Sequence, residues 1–253
     1  MIDFEVLDRV AVITICRPEA RNAVNGEVAS GIELAIDRLE ADPELWVGIL
    51  AGTGPVFSAG ADLKAIAAGN ADDLRTRRGG FGGITRRERT KPIIAAVDGP
   101  ALAGGCELAL ACDLIVASRR AVFGLPEVKR SLVASAGGLF RLPRALGPQV
   151  AMELLLTGDP VSAERAYQLG MVNQLVEGGE ALAAAQALAA RINLNAPVAV
   201  RESRQVALAA LNRNDDELWK LSAERFVTVG RTEDFAEGPR AFIEKRAPVW
   251  KGR

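Results

Sequence analysis

The chain has 253 residues, of which 49% are apolar and 25% charged, and its 31 basic and 32 acidic side chains leave a formal charge of −1. These values exclude a disordered polymer and provide no global field to draw the protein to nucleic acid or a membrane surface. The sequence contains no histidine, so any proton transfer must run on carboxylates, thiols, lysines or the single tyrosine. Three cysteines, Cys16, Cys106 and Cys112, are odd in number and lack metal-ligand spacing, which fits a reducing compartment and no bound metal. The first residues carry no basic, apolar leader pattern. The longest apolar run, 93–117, is interrupted by Asp98, Glu107 and Asp113, each costing about 3 kcal/mol at a bilayer centre. A soluble cytoplasmic protein is expected.

In chain order, Phe4–Leu7 and Val10–Ile15 predict a hairpin across Asp8-Arg9, ended by Arg17-Pro18. Asn25 then caps a helical pattern to Leu39 with Val28, Ile32, Ala35, Ile36 and Leu39 on one face. Strands are expected at Trp46–Ala51, Ile93–Val97 and Leu114–Ala117, with a helix over Gly104–Cys112 and a strand-like Ala121–Phe123. The strand–turn–helix rhythm is expected to end near residue 140. Beyond it the helical patterns are Ala151–Leu156, Ala163–Leu169, Ala181–Ile192, Val198–Ala210, Asp216–Val229 and Phe235–Lys245. This predicts an α/β part followed by a helical tail. Residues 67–83, rich in Gly, Asp and Arg, form the least patterned piece, either a flap over a site or a surface connection.

Two glutamates stand out because their neighbours are apolar and glycine-rich: Glu107 in Ala-Gly-Gly-Cys-Glu-Leu and Glu127 in Phe-Gly-Leu-Pro-Glu. Gly104 opens a helix directly behind a loop, where the first amides lack internal partners and face the positive end of the dipole. An oxygen that gains negative charge is stabilised there, and glycine lets a substrate approach the backbone. Ala61, after Gly60 and before Asp62, offers a second amide of this kind. Glu107 lies one helical turn beyond Gly104. Against these readings, Glu107 could simply favour the helix dipole, and Glu127 could be a surface residue paired with Lys129 or Arg130. Asp62 and Asp113 read as caps or ion-pair partners. Ser58 is conceivable as a nucleophile, but with no histidine a Ser-His-Asp relay is impossible. The basic cluster Arg75, Arg77, Arg78, Arg86, Arg87, Arg89 and Lys91 reads as a solvated face with some capacity for phosphate.

Assembled in order, these segments resemble the crotonase family, the enoyl-CoA hydratase/isomerase superfamily. The resemblance is carried by 17–23 (RPEARNA), 57–64 (FSAGADLK), 98–107 (DGPALAGGCE), 123–127 (FGLPE) and, near the end, Glu237-Gly238, Ala241-Phe242 and Glu244-Lys245-Arg246. It implies a spiral of ββα units with an acyl-CoA site over residues 1–190. Residues 191–253 would form a helical C-terminal region that packs trimers, often paired into hexamers. It also implies that the amides of Ala61 and Gly104 hold a thioester oxygen, with Glu107 and Glu127 as the two glutamates that hydratases use together. Ala59, Ala61, Asp62, Leu63, Lys64 and Gly104 would line the path of coenzyme A, with Phe242 and Lys245 reaching its adenine and phosphate end from a neighbouring subunit. Coenzyme A is then part of the substrate, and no separate cofactor is implied.

The chemistry agrees with that pairing, since adding water across a conjugated double bond needs a base for the water and an acid for the α-carbon. The leading expectation is hydration of a trans-2-enoyl-CoA to 3-hydroxyacyl-CoA, as in fatty-acid β-oxidation. Isomerisation, or dehydration of a specialised thioester, is the alternative on the same fold. A non-catalytic CoA- or RNA-binding relative is disfavoured by the two glutamates and the net charge. The sequence departs from the family pattern after Glu127, where Ser131, Ala134 and Ser135 stand in place of glycine and proline, leaving the Ser135 amide as a candidate for positioning water. Glu19 also replaces a lysine that points toward coenzyme A in many members.

Overall fold

The computed structural model describes residues 1–253. Asp8, in the left-handed region at φ 54°, turns the chain between antiparallel strands Ile2–Leu7 and Val10–Ile15. Asn25 accepts the Val28 N–H and starts helix Gly26–Ala41, whose anticipated apolar face is buried throughout. Strands Val47–Gly52, Ile93–Val97, Leu114–Ser118 and Gln174–Val176 extend the hairpin into a six-stranded sheet, parallel everywhere beyond the first pair.

The four inner strands of this sheet are buried on both faces, which explains why they read as continuous apolar runs. Ala11, Ile13, Ile15, Leu50, Ile93, Ala95, Val97, Ile115 and Ala117 enter the core that also holds helix Gly26–Ala41 and helix Gly104–Ala111. Their alternates Val10, Val12, Val47, Ile49, Ala51, Ile94, Ala96 and Val116 form a second core under helix Ala181–Asn193, which presents Ala185 and Ala189 to it. The run 93–117 is therefore interior, and no helix of the chain is long and apolar enough to cross a membrane.

Successive turns of the chain repeat one pattern: a long strand in the large sheet, a sharp bend, a short strand in a second sheet, then a helix. Ile93–Val97 leads to Ala101–Leu102 and helix Gly104–Ala111; Leu114–Ser118 leads to Val122–Gly124 and the 3-10 turn Pro126–Arg130. Val47–Gly52 leads to Ser58 and helix Leu63–Ala67. The short segments pair in parallel, Ser58 with Ala101, then Ala101 with Phe123 and Leu102 with Gly124, and Val161–Ser162 closes that sheet antiparallel. This is the spiral of ββα units.

The expected end of the strand rhythm near residue 140 is corrected by Val161–Ser162 and Gln174–Val176, strands of two and three residues too short to carry a period. Helix Gly138–Leu146 was also unanticipated, since glycine opens it and Pro143 lies inside it. The 67–83 piece divides in two. Residues 68–73 are exposed, whereas Leu74, Phe81 and Ile84 enter the main core. It is neither a free flap nor a plain surface connection. Four of the seven residues of the basic cluster beside it are spent on structure: Arg78 and Arg87 pair with Asp37, Arg89 pairs with Asp113, and the buried Lys91 ammonium donates to the carbonyls of Leu39 and Asp42. Arg75, Arg77 and Arg86 remain as an exposed, solvated face.

One buried amide side chain holds the first loop in place. Asn22 is fully buried at φ 53°, accepts the Arg17 N–H, and donates to Thr53 O at 2.8 Å and Val56 O at 2.7 Å. Replacing it by alanine orphans these groups and should cost ~2–4 kcal/mol in denaturant unfolding. A loss below about 0.5 kcal/mol, the scale of an ordinary surface substitution, would show that water replaces it freely.

Candidate active site

Parallel pairing of the short strands puts three loops at one edge, each leaving the same end of neighbouring strands. Ala61, Gly104 and Glu127 sit just beyond Ser58, Leu102 and Gly124 respectively. The first two loops touch. A side chain on Gly60, which has φ +89°, would bring its Cβ within 2.6 Å of the Gly104 nitrogen, and one on Gly104 would lie 3.3 Å from Gly60 Cα. Neither the Ala61 nor the Gly104 N–H finds an acceptor within the chain. Two free amides therefore lie on adjoining turns.

Local structure explains how they stay free. Ala103, immediately before Gly104, is held at φ 50°, ψ −128°, a conformation that costs about 1–3 kcal/mol for a residue with a side chain. Its N–H donates to Gly124 O, and its carbonyl accepts the N–H groups of Cys106 and Glu107, so three contacts enforce the bend. A Cβ on Gly104 would fall 2.5 Å from the Phe81 ring, so the 74–84 segment supports this helix start from behind.

Glu107 points from this helix into the interior and is only 4% exposed. Its Oε1 accepts the Gly138 N–H at 2.9 Å. Burial pushes its carboxyl up to about 7, and nearby Glu127 pushes the same way, against the amides of Gly138 and Ala136 and the Arg141 charge. Glu127, half-buried in the 126–130 turn, is also raised by burial, and its Oε2 is buried with no hydrogen-bond partner. Of the two surface partners considered for Glu127, Lys129 reaches Asp159 instead, and Arg130 forms no salt bridge with it and acts only through its charge. Two carboxyls made hard to ionise by burial, one of them with an unsatisfied oxygen, are suited to proton transfer. Beside Glu127 opens a cleft of about 530 Å³ lined by Val128, Ser131, Leu132, Val133 and Ser135.

Several sequence candidates fall elsewhere. Ser58 is fully buried, donates to Asn22 O and accepts the Gly60 N–H, so it braces the turn and cannot act as a nucleophile. Asp62 caps helix Leu63–Ala67 through the amides of Lys64 and Ala65 and pairs with Arg17 at 2.6 Å. Burial opposes its ionisation, but that ion pair and those amides outweigh it and hold its carboxyl below the usual range. Its side chain is thus spent internally, whereas Leu63 and Lys64 are exposed beside Ala61, and Ala59 donates its N–H to Arg21 O. Phe242 and Lys245 end helix Glu233–Glu244, which packs chiefly on helix Asp215–Gly230; within one chain they are not brought to the glutamates. Phe242 is 85% exposed. The Ser135 N–H donates to Val133 O and so is not free for water.

Residues 5–253 match the model of the enoyl-CoA hydratase/isomerase family. The chain belongs to that family, the crotonases. It is 42% identical over 247 residues to a carnitinyl-CoA dehydratase of Salmonella typhi, covering 95% of this chain and 94% of the relative. A crystal structure of an enoyl-CoA hydratase from Mycobacterium tuberculosis superposes with TM-score 0.96 at 48% identity, over 100% of this chain and 99% of the other. A carnitinyl-CoA hydratase from Mycobacterium avium gives 0.79 at 45% identity, over 100% and 98%. The fold is that of crotonases, and the chain is a crotonase-family enzyme of the hydratase/dehydratase kind.

Sequence reasoning missed the support of Glu107 by the Gly138 amide, although the Gly137-Gly138 pair was a visible signal of close backbone approach. It also missed Phe81 and Arg141, whose roles depend on contacts remote in sequence. A buried carboxyl raised from 4.5 to about 7 destabilises the fold once the solution is alkaline enough to ionise it in the unfolded chain. The penalty is absent below about pH 4.5, grows as pH rises, and is complete above about pH 7. Glu107→Gln keeps the acceptor for Gly138 and removes the charge. It should therefore stabilise the protein at pH 8 by up to roughly 3 kcal/mol, and by nothing near pH 4.5. Urea unfolding at the two pH values checks this, and a variant less stable than wild type at pH 8 would refute it.

Proposed function

We propose that this chain catalyses reversible hydration of the 2,3 double bond of an enoyl-CoA thioester, using Glu107 and Glu127 for proton transfer and the amides of Ala61 and Gly104 for the thioester oxygen. The observation that carries the reading is the convergence of two raised glutamates on the edge where two amides lack acceptors. In the hydration direction Glu107, whose carboxylate is favoured by the Gly138 amide, takes a proton from water as the water attacks the β-carbon. The double-bond electrons move onto the thioester oxygen, where the two amides stabilise the enolate, each contributing about 3 kcal/mol. Glu127, with its unsatisfied buried oxygen, carries the proton that completes the α-carbon. No step requires a separate cofactor or metal.

Hydratase and dehydratase are the two directions of this chemistry, so the activities of the similar proteins support the reaction rather than a particular acyl group. Dehydration of a specialised thioester such as carnitinyl-CoA is the second reading, favoured by the relative at 42% identity. Leu63 and Lys64 are proposed to flank coenzyme A in the same subunit, and Phe242 and Lys245 to reach it from a neighbour. Supporting that assembly, the 191–253 region leaves Trp219, Phe226, Phe242 and Ile243 largely exposed, more apolar surface than isolated helices leave to water. A trimer or dimer of trimers would cover it.

Incubation with trans-2-butenoyl-CoA, longer trans-2-enoyl-CoAs and carnitinyl-CoA should yield the hydrated or dehydrated partner of at least one; a shifted double bond as the sole product would make the chain an isomerase. Glu107→Gln and Glu127→Gln should each lower kcat at least ~100-fold with little change in KM. The acid limb of kcat/KM should lie near pH 7, where Glu107 loses its ionised form, and a limb near 4.5 would remove Glu107 from the base role. Gly104→Pro is a poor probe here, since any Cβ at that position collides with Phe81. The neighbouring-subunit contact has its own check. Mixing Lys245→Ala subunits, each high in KM, with Glu127→Gln subunits should restore some low-KM activity, and fully active monomers of ~27 kDa would exclude the arrangement.

A further inference from the structure

Arg141, on helix Gly138–Leu146, is a cation that the proposed chemistry does not use and that forms no ion pair. Its half-buried guanidinium donates from Nη2 to Thr85 O at 2.7 Å and from Nη1 to Ala136 O at 3.3 Å. Glu107 is the carboxyl whose charge acts on it, alongside Arg89, Arg144 and the Cys112 thiol, and the Phe140 ring lies 5.3 Å from the guanidinium. A partly desolvated charge held on two carbonyls and left without a counter-ion is costly, and such a group is retained where its field is used.

Its two anchor points are the informative ones. Ala136 begins the turn Ala136-Gly137-Gly138, which gives its Gly138 N–H to Glu107. Gly137 has φ +116°, and a Cβ there would lie 2.1 Å from Arg141 Nη1, so the bare glycine is what admits the guanidinium. Thr85 ends the segment that carries Phe81, the ring standing behind Gly104. One side chain thus ties the loop under the Glu107 carboxylate to the segment under the Gly104 amide.

We propose that Arg141 is a positioning residue for Glu107: by clasping the carbonyls of Ala136 and Thr85 it holds the turn whose amide binds the carboxylate. The inference rests on the reading of Glu107 as the base. The charged and titratable groups facing Glu107 are Glu127 from the 126–130 turn, Arg141 from helix 138–146 and the Cys106 thiol on its own helix. Burial pushes Cys106 far up, so it stays neutral. Removing Arg141 leaves Glu127 as the dominant neighbour, which makes Glu107 harder to ionise.

The test compares Arg141→Met, Arg141→Lys, Glu107→Gln and wild type on the thioester identified by the substrate panel, with full pH profiles and thermal melts. Arg141→Met should lower kcat by roughly 10–100-fold with KM within about threefold, and move the acid limb of kcat/KM upward by about 0.5–1 pH unit. Arg141→Lys keeps a charge but not the planar fork, so its limb should return toward wild type while kcat stays reduced. A folded Arg141→Met with an unmoved limb overturns the proposal, whether kcat is retained or falls only in step with thermal stability. If Arg141→Met does not fold, Arg141→Lys decides: reduced kcat at unchanged KM supports the role, and wild-type kcat overturns it. Glu107→Gln separates the two levels. If it is inactive while Arg141→Met behaves as wild type, only this inference falls; if Glu107→Gln itself turns over normally, the base assignment falls and this inference with it.

Discussion

The parallel pairing of three very short segments, Ser58 with Ala101 and Ala101–Leu102 with Phe123–Gly124, is the constraint from which the candidate site follows. Parallel neighbours leave a sheet at the same edge, so whatever follows each segment collects there. The residues that follow are a glycine turn with a free amide, a helix start with a free amide, and a turn bearing a glutamate. Two hydrogen-bonded residues per strand cannot hold this register alone. It is imposed by the long strands behind them, which pair over four to six residues and are buried on both faces.

The site is built against local preference, and the surrounding structure offsets the cost. Ala103 occupies a backbone region that suits glycine, Glu107 keeps a carboxyl in a nearly dry interior, and Glu127 leaves one oxygen unsatisfied. The first two are held by neighbours, Gly124 and the helix amides around Ala103 and the Gly138 amide beneath Glu107, while the Glu127 oxygen is left open. Strain and desolvation gathered around groups that could carry chemistry are the pattern expected of a functional site.

The charged residues divide by the same logic. Most arginines here are fastenings. Arg78 and Arg87 hold the 75–87 segment to helix 26–41 through Asp37, and Arg89 with Arg204 grips Asp113, joining helix Pro197–Ala209 to the core. Arg17 does the same for Asp62 beside the first amide. Paired in this way they contribute geometry and little field. Arg141 differs in having no carboxylate partner: it donates to two carbonyls and lies 5.3 Å from the Phe140 ring centre, so its charge is not neutralised by an ion pair.

Much of this was legible in the amino-acid sequence. The hairpin, the Asn25 cap, the long strands, the helix at Gly104 and the family resemblance rest on local signals: apolar periodicity, capping chemistry and glycine where backbone must be approached closely. The same signals singled out Glu107, Glu127, Ala61 and Gly104, because carboxylates in apolar, glycine-rich stretches are unusual wherever the chain goes. What local signals could not carry were strands of two or three residues, a helix opened by glycine and containing proline, the spending of Ser58 on internal bonds, and the partners of Glu107. These depend on groups tens of residues apart: Gly138 lies 31 residues from Glu107, and Thr85 lies 56 from Arg141. Sequence by itself determined which residues were chemically exceptional. Tertiary structure alone decided which of them meet, because burial and electrostatic coupling arise between neighbours in space, and no local pattern encodes who those neighbours are.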